Sequence, residues 1–352
     1  MVDRPIRMRN PTHRFEPQTG LSTEPEIIWS IPCPDQINSI AVWDSIVYIG
    51  TIRGHIMAID RYDGSEKWCF QPGIGIASVP AESNNKIYVG DSDGSIFAIN
   101  KFDGDIIWDF DTQSGVTSSP AIVEDTLYIG SSNHSLYALD LEEGTVRWKY
   151  KTNDWILCGP AVVDGSVYFG SKDESVYALD SDDGSVQWTS DVNEWIIDSS
   201  PTVTNDTVYI GTYGGSITAL DAEDGSIKWR VDTNAEVQSS PAVVDNRVFV
   251  GSYDSSLYTI NKDSGEVIWR YETDGEVRSS PCVVDNIVYF GSRDGNIYAL
   301  DSNDGSEQWR YETEEAINTS PVVIDGALYF GNHNGSLYAL GHPSLVKAPS
   351  TN

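Results

Sequence analysis

The segment SSPCVVDNIVYFGSRDGNIYALDSNDGSEQWRY, residues 279–311, predicts four short β-strands joined by tight turns. The four apolar or alternating runs are 281–284, 287–290, 296–300 and the run from Trp309 to Tyr311. The pairs Asp285-Asn286 and Asp304-Gly305 separate runs, and both are typical of hairpin turns. Because the runs are short and lack the helical period, the segment excludes a helical repeat.

This segment recurs with a period of about 40 residues along the chain. A Trp marks each unit: Trp29, Trp68, Trp108, Trp148, Trp188, Trp229, Trp269 and Trp309. A Gly marks each unit as well: Gly50, Gly90, Gly130, Gly170, Gly211, Gly251, Gly291 and Gly331. Pro follows the same spacing from Pro80 to Pro321, with Ile40 in its place in the first unit. Stacked four-stranded units predict an all-β fold, an eight-bladed β-propeller of antiparallel blades, with the recurring Trp as structural wedges between sheets.

The two chain ends are expected to close the ring together. The last unit has runs for three strands only, at 321–324, 327–330 and 336–340. At the other end, 26–31 is a lone Trp-bearing strand without a unit of its own. Pairing the two would complete the eighth blade and remove two sheet edges. We therefore expect deletion of residues 1–31 to cause aggregation and deletion of residues 1–22 to be harmless.

The charge of the chain restricts its partners. Lys plus Arg number 22 and Asp plus Glu number 53, a net charge of −31. This charge would repel nucleic acid phosphates, and no apolar run is long enough to span a bilayer. A surface this acidic favours a salt-adapted, haloarchaeal source. Residues 1–24 are predicted to be a flexible basic tail, residues 25–341 to form the propeller, and residues 342–352 to be a C-terminal tail. Because the sequence shows no export signal, we expect a cytoplasmic monomer.

The repeat resembles that of the quinoprotein, or pyrroloquinoline quinone (PQQ), propeller family. The family's docking motif is Ala-x-Asp-x-x-Thr-Gly-Lys-x-x-Trp. Four copies here are AIDRYDGSEKW (58–68), ALDLEEGTVRW (138–148), ALDSDDGSVQW (178–188) and ALDSNDGSEQW (299–309). Variants occupy 98–108, 219–229 and 259–269, and an eighth copy is split between Ala339-Leu340 and Trp29. The resemblance covers residues 26–340 and implies the same propeller fold.

The resemblance is compatible with two kinds of activity, that of an enzyme and that of a scaffold. The family includes dehydrogenases that hold PQQ with calcium, and scaffolds that hold no cofactor, such as an outer-membrane assembly lipoprotein. The alcohol dehydrogenases carry two adjacent cysteines against the quinone and long insertions between strands. Here Cys33, Cys69, Cys158 and Cys282 are isolated, and the repeat length never departs from about 40 residues. The lipidated cysteine behind a signal segment, which the lipoprotein needs, is lacking as well.

One rim of the propeller varies between units while the framework stays constant. We call it the upper rim: it carries the loops between the second and third strands and the connections from one blade to the next. At the variable positions of this rim, units 2 and 3 have small, uncharged residues, and units 4 to 8 have charged, amide or aromatic residues. The candidate ligand-binding residues are Lys172, Trp195, Asp198, Tyr213, Gln238, Tyr253, Arg278, Arg293, Asn318 and His333. Aromatic rings there could stack on a flat ligand, and the two arginines could clamp a carboxylate or phosphate. The alternative is drift in exposed loops.

No catalytic or metal motif emerges from the sequence. His55 and His333 would lie in adjacent blades, but a third ligand is not evident. We therefore predict a non-catalytic scaffold that binds a partner protein or a small polar ligand, with no cofactor and no metal. The alternative is a divergent PQQ-dependent dehydrogenase, with PQQ and calcium at the upper mouth of the channel. A third possibility is a sensor or assembly subunit beside a separate catalytic chain.

Overall fold

The structure is a computed structural model that describes residues 20–21, 23–204 and 206–342. Most of the predicted N-terminal tail (1–24) and nearly all of the predicted C-terminal tail (342–352) lie outside these residues. The described residues form eight four-stranded antiparallel sheets and contain no helix. None of them therefore builds a helix long and apolar enough to cross a membrane.

Each sheet is one blade, with its strands in chain order. Blade 1 consists of β2 (Ile37–Trp43), β3 (Ile46–Thr51), β4 (Ile56–Asp60) and β5 (Glu66–Phe70). Blade 2 consists of β6 (Ala81–Ser83), β7 (Lys86–Gly90), β8 (Ser95–Asn100) and β9 (Ile106–Asp111). Blade 3 consists of β10 (Ala121–Val123), β11 (Thr126–Ser131), β12 (Ser135–Asp140) and β13 (Val146–Lys151). Blades 4 and 5 consist of β14 (Ala161–Val163), β15 (Ser166–Gly170), β16 (Ser175–Asp180) and β17 (Val186–Asp191); and β18 (Thr202–Thr204), β19 (Thr207–Gly211), β20 (Ser216–Asp221) and β21 (Ile227–Asp232). Blades 6 and 7 consist of β22 (Ala242–Val244), β23 (Arg247–Ser252), β24 (Ser256–Asn261) and β25 (Val267–Glu272); and β26 (Cys282–Val284), β27 (Ile287–Gly291), β28 (Asn296–Asp301) and β29 (Glu307–Glu312).

The eighth blade combines both ends of the chain. It consists of β30 (Val322–Ile324), β31 (Ala327–Gly331), β32 (Ser336–Gly341) and β1 (Glu26–Pro32). β1 pairs antiparallel with β32, so that Trp29 lies opposite Ala339 and Pro32 opposite Ser336. The predicted eight-bladed propeller and its closure by the N-terminal strand are therefore confirmed.

The recurring Trp bridges each blade to the next. Trp188 of blade 4 donates from Nε1 to the carbonyl oxygen of Ala222 in blade 5, at 2.9 Å. Its ring lies 5.9 Å from the ring of Tyr168 in its own blade. On the other side is Gly225, with a φ of +75°, where an added Cβ would come within 2.5 Å of the indole. The turn glycine thus serves two needs, a left-handed backbone and room for the ring.

The recurring strand glycine lets the connection between blades approach the sheet. A Cβ at Gly170 would stand 2.3 Å from Cγ2 of Ile196, which is fully buried. Since Ile196 belongs to the connection that enters blade 5, this contact draws consecutive blades together. The repeated Gly in the sequence therefore marks a packing contact that leaves no room for a side chain.

The chain end that closes the ring reaches further than β1. Leu21 is buried, and its carbonyl oxygen accepts a hydrogen bond of 2.8 Å from Nε1 of Trp309. Its backbone N–H donates to the hydroxyl of the buried Tyr289, at 2.6 Å. Elsewhere the acceptor for the Trp is a residue of the next blade, as Ser302 is for Trp269. Here Leu21 supplies it instead, and this contact argues against the expectation that residues 1–22 are dispensable.

We expect a chain lacking residues 1–22 to be less stable than one lacking residues 1–19, by about 1–3 kcal/mol of unfolding free energy. The physical reason is that Trp309 and Tyr289 lose the partner that satisfies them in the blade interface. Urea denaturation of the two truncated chains, followed by tryptophan fluorescence, measures the difference. Identical midpoints would mean that the Leu21 contacts contribute nothing to closure.

Candidate functional site

A ring of backbone hydrogen bonds fixes the upper rim. In each blade, the residue two positions after the recurring Gly donates its N–H to the connection that enters that blade. Lys172 donates to the Trp155 carbonyl at 2.8 Å, and Tyr213 to that of Trp195 at 2.8 Å. Arg293 follows the same pattern, with Glu276 as acceptor at 2.9 Å. The variable side chains of the upper rim therefore stand on a uniform backbone.

The upper mouth of the channel opens into a cavity of about 300 Å³. One residue from each blade forms its upper ring: Asn38, Ala77, Thr117, Leu157, Asp198, Gln238, Arg278 and Asn318. A second ring, of hydroxyl groups, lies beside it: Ser119, Ser200, Ser240, Ser280 and Ser320. Blades 2 to 4 contribute small or apolar side chains to the upper ring, while blades 5 to 8 and blade 1 contribute charged or amide ones. The wall of the cavity is thus polar on one side only.

The hydroxyl ring is a structural element of the channel. The backbone N–H of Ser200 donates to Oγ of Ser240 at 3.0 Å, and that of Ser240 donates to Oγ of Ser280 at 2.9 Å. Ser280 repeats the contact with Ser320 at 2.9 Å. Each hydroxyl thereby satisfies a backbone donor of the preceding blade. These contacts hold the upper ring in position.

Arg278 is held at the mouth by two neighbours, Tyr253 and Glu276. Its guanidinium lies 4.3 Å from the centre of the Tyr253 ring, and its Nε donates to Oε2 of Glu276 at 3.0 Å. The same oxygen accepts from Nη1 of Arg293 at 2.9 Å. Partial burial alone would raise the pKa of Glu276, but the hydrogen bonds from Arg293 and Arg278 lower it. The two arginines therefore share a carboxylate of the protein itself.

Gln238 and Asp198 continue the polar side of the cavity. The Tyr253 hydroxyl donates to Oε1 of Gln238, which orients the amide. The Asp198 side chain is exposed to the channel, although protein atoms lie close around it. This confinement raises the pKa of Asp198 above its ordinary value, and the positive charge of Arg278 opposes the shift. The carboxylate therefore faces the channel, and Arg278 is the cation that acts on it.

A second cluster lies on the upper rim outside the cavity lining. The Lys172 ammonium lies 4.3 Å from the ring centre of Trp155 and 4.9 Å from that of Trp195. Tyr213 continues the row, with its ring centre 5.9 Å from that of Trp195. Arg230 forms an ion pair with Glu194, the residue before Trp195. The cluster is an exposed aromatic surface with an embedded cation.

The structure brings the sequence-predicted residues together in two groups. Asp198, Gln238, Arg278 and Asn318 line the cavity, and Tyr253 with Arg293 supports Arg278. Lys172, Trp195 and Tyr213 form the rim cluster. His333 joins neither: it is exposed, and its backbone N–H donates to the Ala316 carbonyl at 2.8 Å.

Sequence reasoning missed Asn38 and Glu276. Asn38 lines the cavity from blade 1. The connection that enters blade 1 lacks the recurring Pro, from which the equivalent position is counted in the other units. Glu276 lies two residues before Arg278, and comparison of the units at that position would have singled out an acid there. Among the residues described, no group of three or more His, Cys, Asp or Glu side chains is placed to hold a metal ion.

Solved structures with the same architecture share little sequence with this chain. BamB from Moraxella catarrhalis superposes with a TM-score of 0.76 at 22% identity, over 90% of this chain and 97% of that one. The computationally designed Ika8 protein gives a TM-score of 0.81 at 18% identity, over 90% and 99%. Quinohemoprotein alcohol dehydrogenase from Comamonas testosteroni gives 0.77 at 14% identity, over 94% and 78%. At these identities the similarity shows the fold alone.

No curated protein sequence matches the chain. A family model does match, in overlapping segments at 26–154, 92–194, 141–243 and 172–344, and its description is outer membrane protein assembly factor BamB. These segments span all eight blades. The chain therefore belongs to the PQQ-like propeller-repeat family that this model describes.

Proposed function

We propose that the protein is a non-catalytic scaffold that binds a partner protein through its upper rim. The observation that carries the proposal is the exposed pair of tryptophans on that rim. Trp155 and Trp195 are 41% and 44% exposed, although every other Trp among the described residues is buried or half-buried. Ile52 and Ile74, also on this rim, are 49% and 64% exposed.

These side chains have the character of a protein-binding surface. Trp, Tyr and Arg are enriched where interfaces gain most of their binding energy, because a large rigid side chain buries much area at a low entropic cost. Trp155, Trp195 and Tyr213 sit on loops whose backbone is already hydrogen-bonded to the neighbouring connection. A partner would therefore meet a preformed surface. With a net charge of −31 on the chain, we expect the partner to present basic and apolar residues.

The donor set at the channel mouth supports a scaffold over a quinoprotein dehydrogenase. Calcium is bound by six to eight oxygen ligands, usually including several carboxylates. Among the described residues that line the cavity, Asp198 is the one carboxylate. The residues present therefore do not fit a calcium–quinone pair, and we derive no redox step from this site.

The family description supports the same preference. The matching model is named for an outer membrane protein assembly factor, and the structure from Moraxella catarrhalis carries the name BamB. A role in assembly requires contact with other proteins. We extend to this chain only the general property of binding a protein partner.

Replacing both exposed tryptophans, Trp155→Ala with Trp195→Ala, should abolish capture of the partner from an extract of the native host. The loss of two large exposed rings is expected to weaken binding by at least a hundredfold, since each acts as an anchor. The measurement is affinity capture with the intact chain and the variant, compared by quantitative mass spectrometry, followed by titration of the recovered protein against both.

The matched control is Phe102→Ala. Phe102 is 69% exposed but lies on the opposite rim, in the turn between β8 and β9. This variant should capture the same protein as the intact chain. A partner that is lost with Phe102→Ala and retained by the tryptophan variant would assign binding to the other rim. Dye reduction by the protein after addition of PQQ and calcium would overturn the non-catalytic proposal.

A further inference from the structure

We propose that the channel mouth binds a small zwitterion of the α-amino acid class, with its ammonium group at Asp198 and its carboxylate at Arg278. This site is separate from the partner surface of the upper rim.

Asp198 and Arg278 are the two charged residues among those that line the cavity. They belong to blades 5 and 7, with Gln238 of blade 6 between them. They attract each other electrostatically, but they form no ion pair: the carboxylate paired with Arg278 is Glu276. The cavity thus holds an acid and a base, and a ligand that carries both charges could pair with each of them.

Each charge keeps free capacity for a ligand. Among the described residues, only Nε of Arg278 has a hydrogen-bond acceptor, so Nη1 and Nη2 are left for a carboxylate, which a guanidinium binds in a fork. No described residue donates a hydrogen bond to the Asp198 carboxylate. An ammonium group there would pair with a carboxylate that forms no ion pair with any described residue.

Amide groups complete the polar side. Gln238 accepts from Tyr253 through Oε1, which leaves its NH₂ group as a donor between the two charges. Oδ1 of Asn318 is buried and has no hydrogen-bond partner among the described residues. A buried acceptor without a donor is rare in folded proteins. The two amides therefore add an uncharged donor and an uncharged acceptor to the polar side of the cavity.

The remaining wall and the size of the cavity define the rest of the ligand. Ala77, Val79 and Leu157 form an apolar wall on blades 2 and 4. The volume of about 300 Å³ is at the lower end of the range for small-molecule sites. A single charge would not suit the site, because an anion would be repelled by Asp198 and a cation by Arg278. A short aliphatic amino acid satisfies both charges and the apolar wall.

The test is isothermal titration calorimetry of the full chain with glycine, L-alanine and L-leucine. Two analogues of leucine serve as probes: 4-methylpentanoate, which lacks the amino group, and 3-methylbutylamine, which lacks the carboxylate. We expect at least one amino acid to bind, and both analogues to bind at least tenfold more weakly than leucine. Failure of all three amino acids to bind, or equal binding of either analogue, would overturn the proposal.

The variants Asp198→Asn and Arg278→Gln should each weaken amino-acid binding at least tenfold, since each removes a charge-assisted hydrogen bond. Asp274→Asn and Arg310→Gln are the matched controls, because both positions lie outside the cavity lining. Unfolding midpoints close to that of the intact chain establish that the variants are folded. Unchanged binding in both cavity variants would place the ligand elsewhere.

The rim variant with Trp155→Ala and Trp195→Ala should bind the amino acid as the intact chain does. This arm separates the two proposals, because loss of the partner and loss of the amino acid then follow from different substitutions. Loss of amino-acid binding in the rim variant would contradict a site confined to the channel.

Discussion

Deletion of residues 1–31 is expected to leave most of the protein aggregated, with an unfolding free energy lower by more than about 5 kcal/mol in any fraction that stays soluble. The deletion removes all but the last residue of β1, so that β32 becomes an unpaired edge strand. It also removes Trp29, which is buried and donates to the Arg61 carbonyl in blade 1 at 3.0 Å. An open edge beside an exposed core favours edge-to-edge association.

Soluble yield and size-exclusion chromatography with light scattering measure this effect. The control is deletion of residues 1–19, which retains Leu21 and β1 and should stay soluble. Addition of a synthetic peptide spanning residues 20–34 during refolding should restore part of the soluble protein, since the strand can pair without being covalently attached. A stable, soluble chain without residues 1–31 would contradict closure by the N-terminal strand.

The second large effect is expected from Trp188→Ala, which should lower the free energy of unfolding by about 3–5 kcal/mol. The side chain is 7% exposed and fills the gap between blades 4 and 5. Its loss leaves a cavity against Gly225, and the Ala222 carbonyl keeps only the longer hydrogen bond of its two, the one from the Tyr168 hydroxyl. Neither blade can move in to fill the space, because the other blades of the closed ring hold both in place.

Chemical denaturation with urea measures the change. Trp155→Ala is the matched control, because the same residue type is replaced at a position that is 41% exposed. We expect that variant to differ from the intact chain by less than about 0.5 kcal/mol. If the two variants lost comparable amounts of unfolding free energy, the recurring Trp would stabilise the fold no more than an exposed Trp does. The structural role assigned to the recurring Trp would then be wrong.

The closure of the ring was predicted only in part from the sequence repeat. Trp29 was recognisable as a closing strand because it carries the same mark as seven other residues. Leu21 carries no such mark, and its partner Trp309 lies 288 residues away. Its contribution depends on Leu21 taking the acceptor position that a residue after the third strand takes in the other blades. Only the assembled ring shows this contact.

The candidate site divides in a similar way. Variation at equivalent positions of the repeat pointed to Asp198, Gln238, Arg278 and Asn318, and all four line one cavity. The same variation also selected His333, which stands apart from it. Comparison of units detects which side chains differ, but it contains no information on which of them point into the channel. It also missed Glu276, which occupies one side of Arg278 and so determines which part of the guanidinium is left for a ligand.

The amino-acid sequence by itself determined the fold of this protein: short alternating runs, turn pairs and eight Trp positions specify four-stranded blades and their number. These signals are local, because a hairpin and a docking contact each depend on residues no more than about one repeat apart. The tertiary structure decided which side chains share the channel mouth, which charges remain unpaired there, and that Leu21 belongs to the closure. These features depend on the angle between blades and on contacts between distant parts of the chain. Neither can be predicted from the spacing of residues within one repeat.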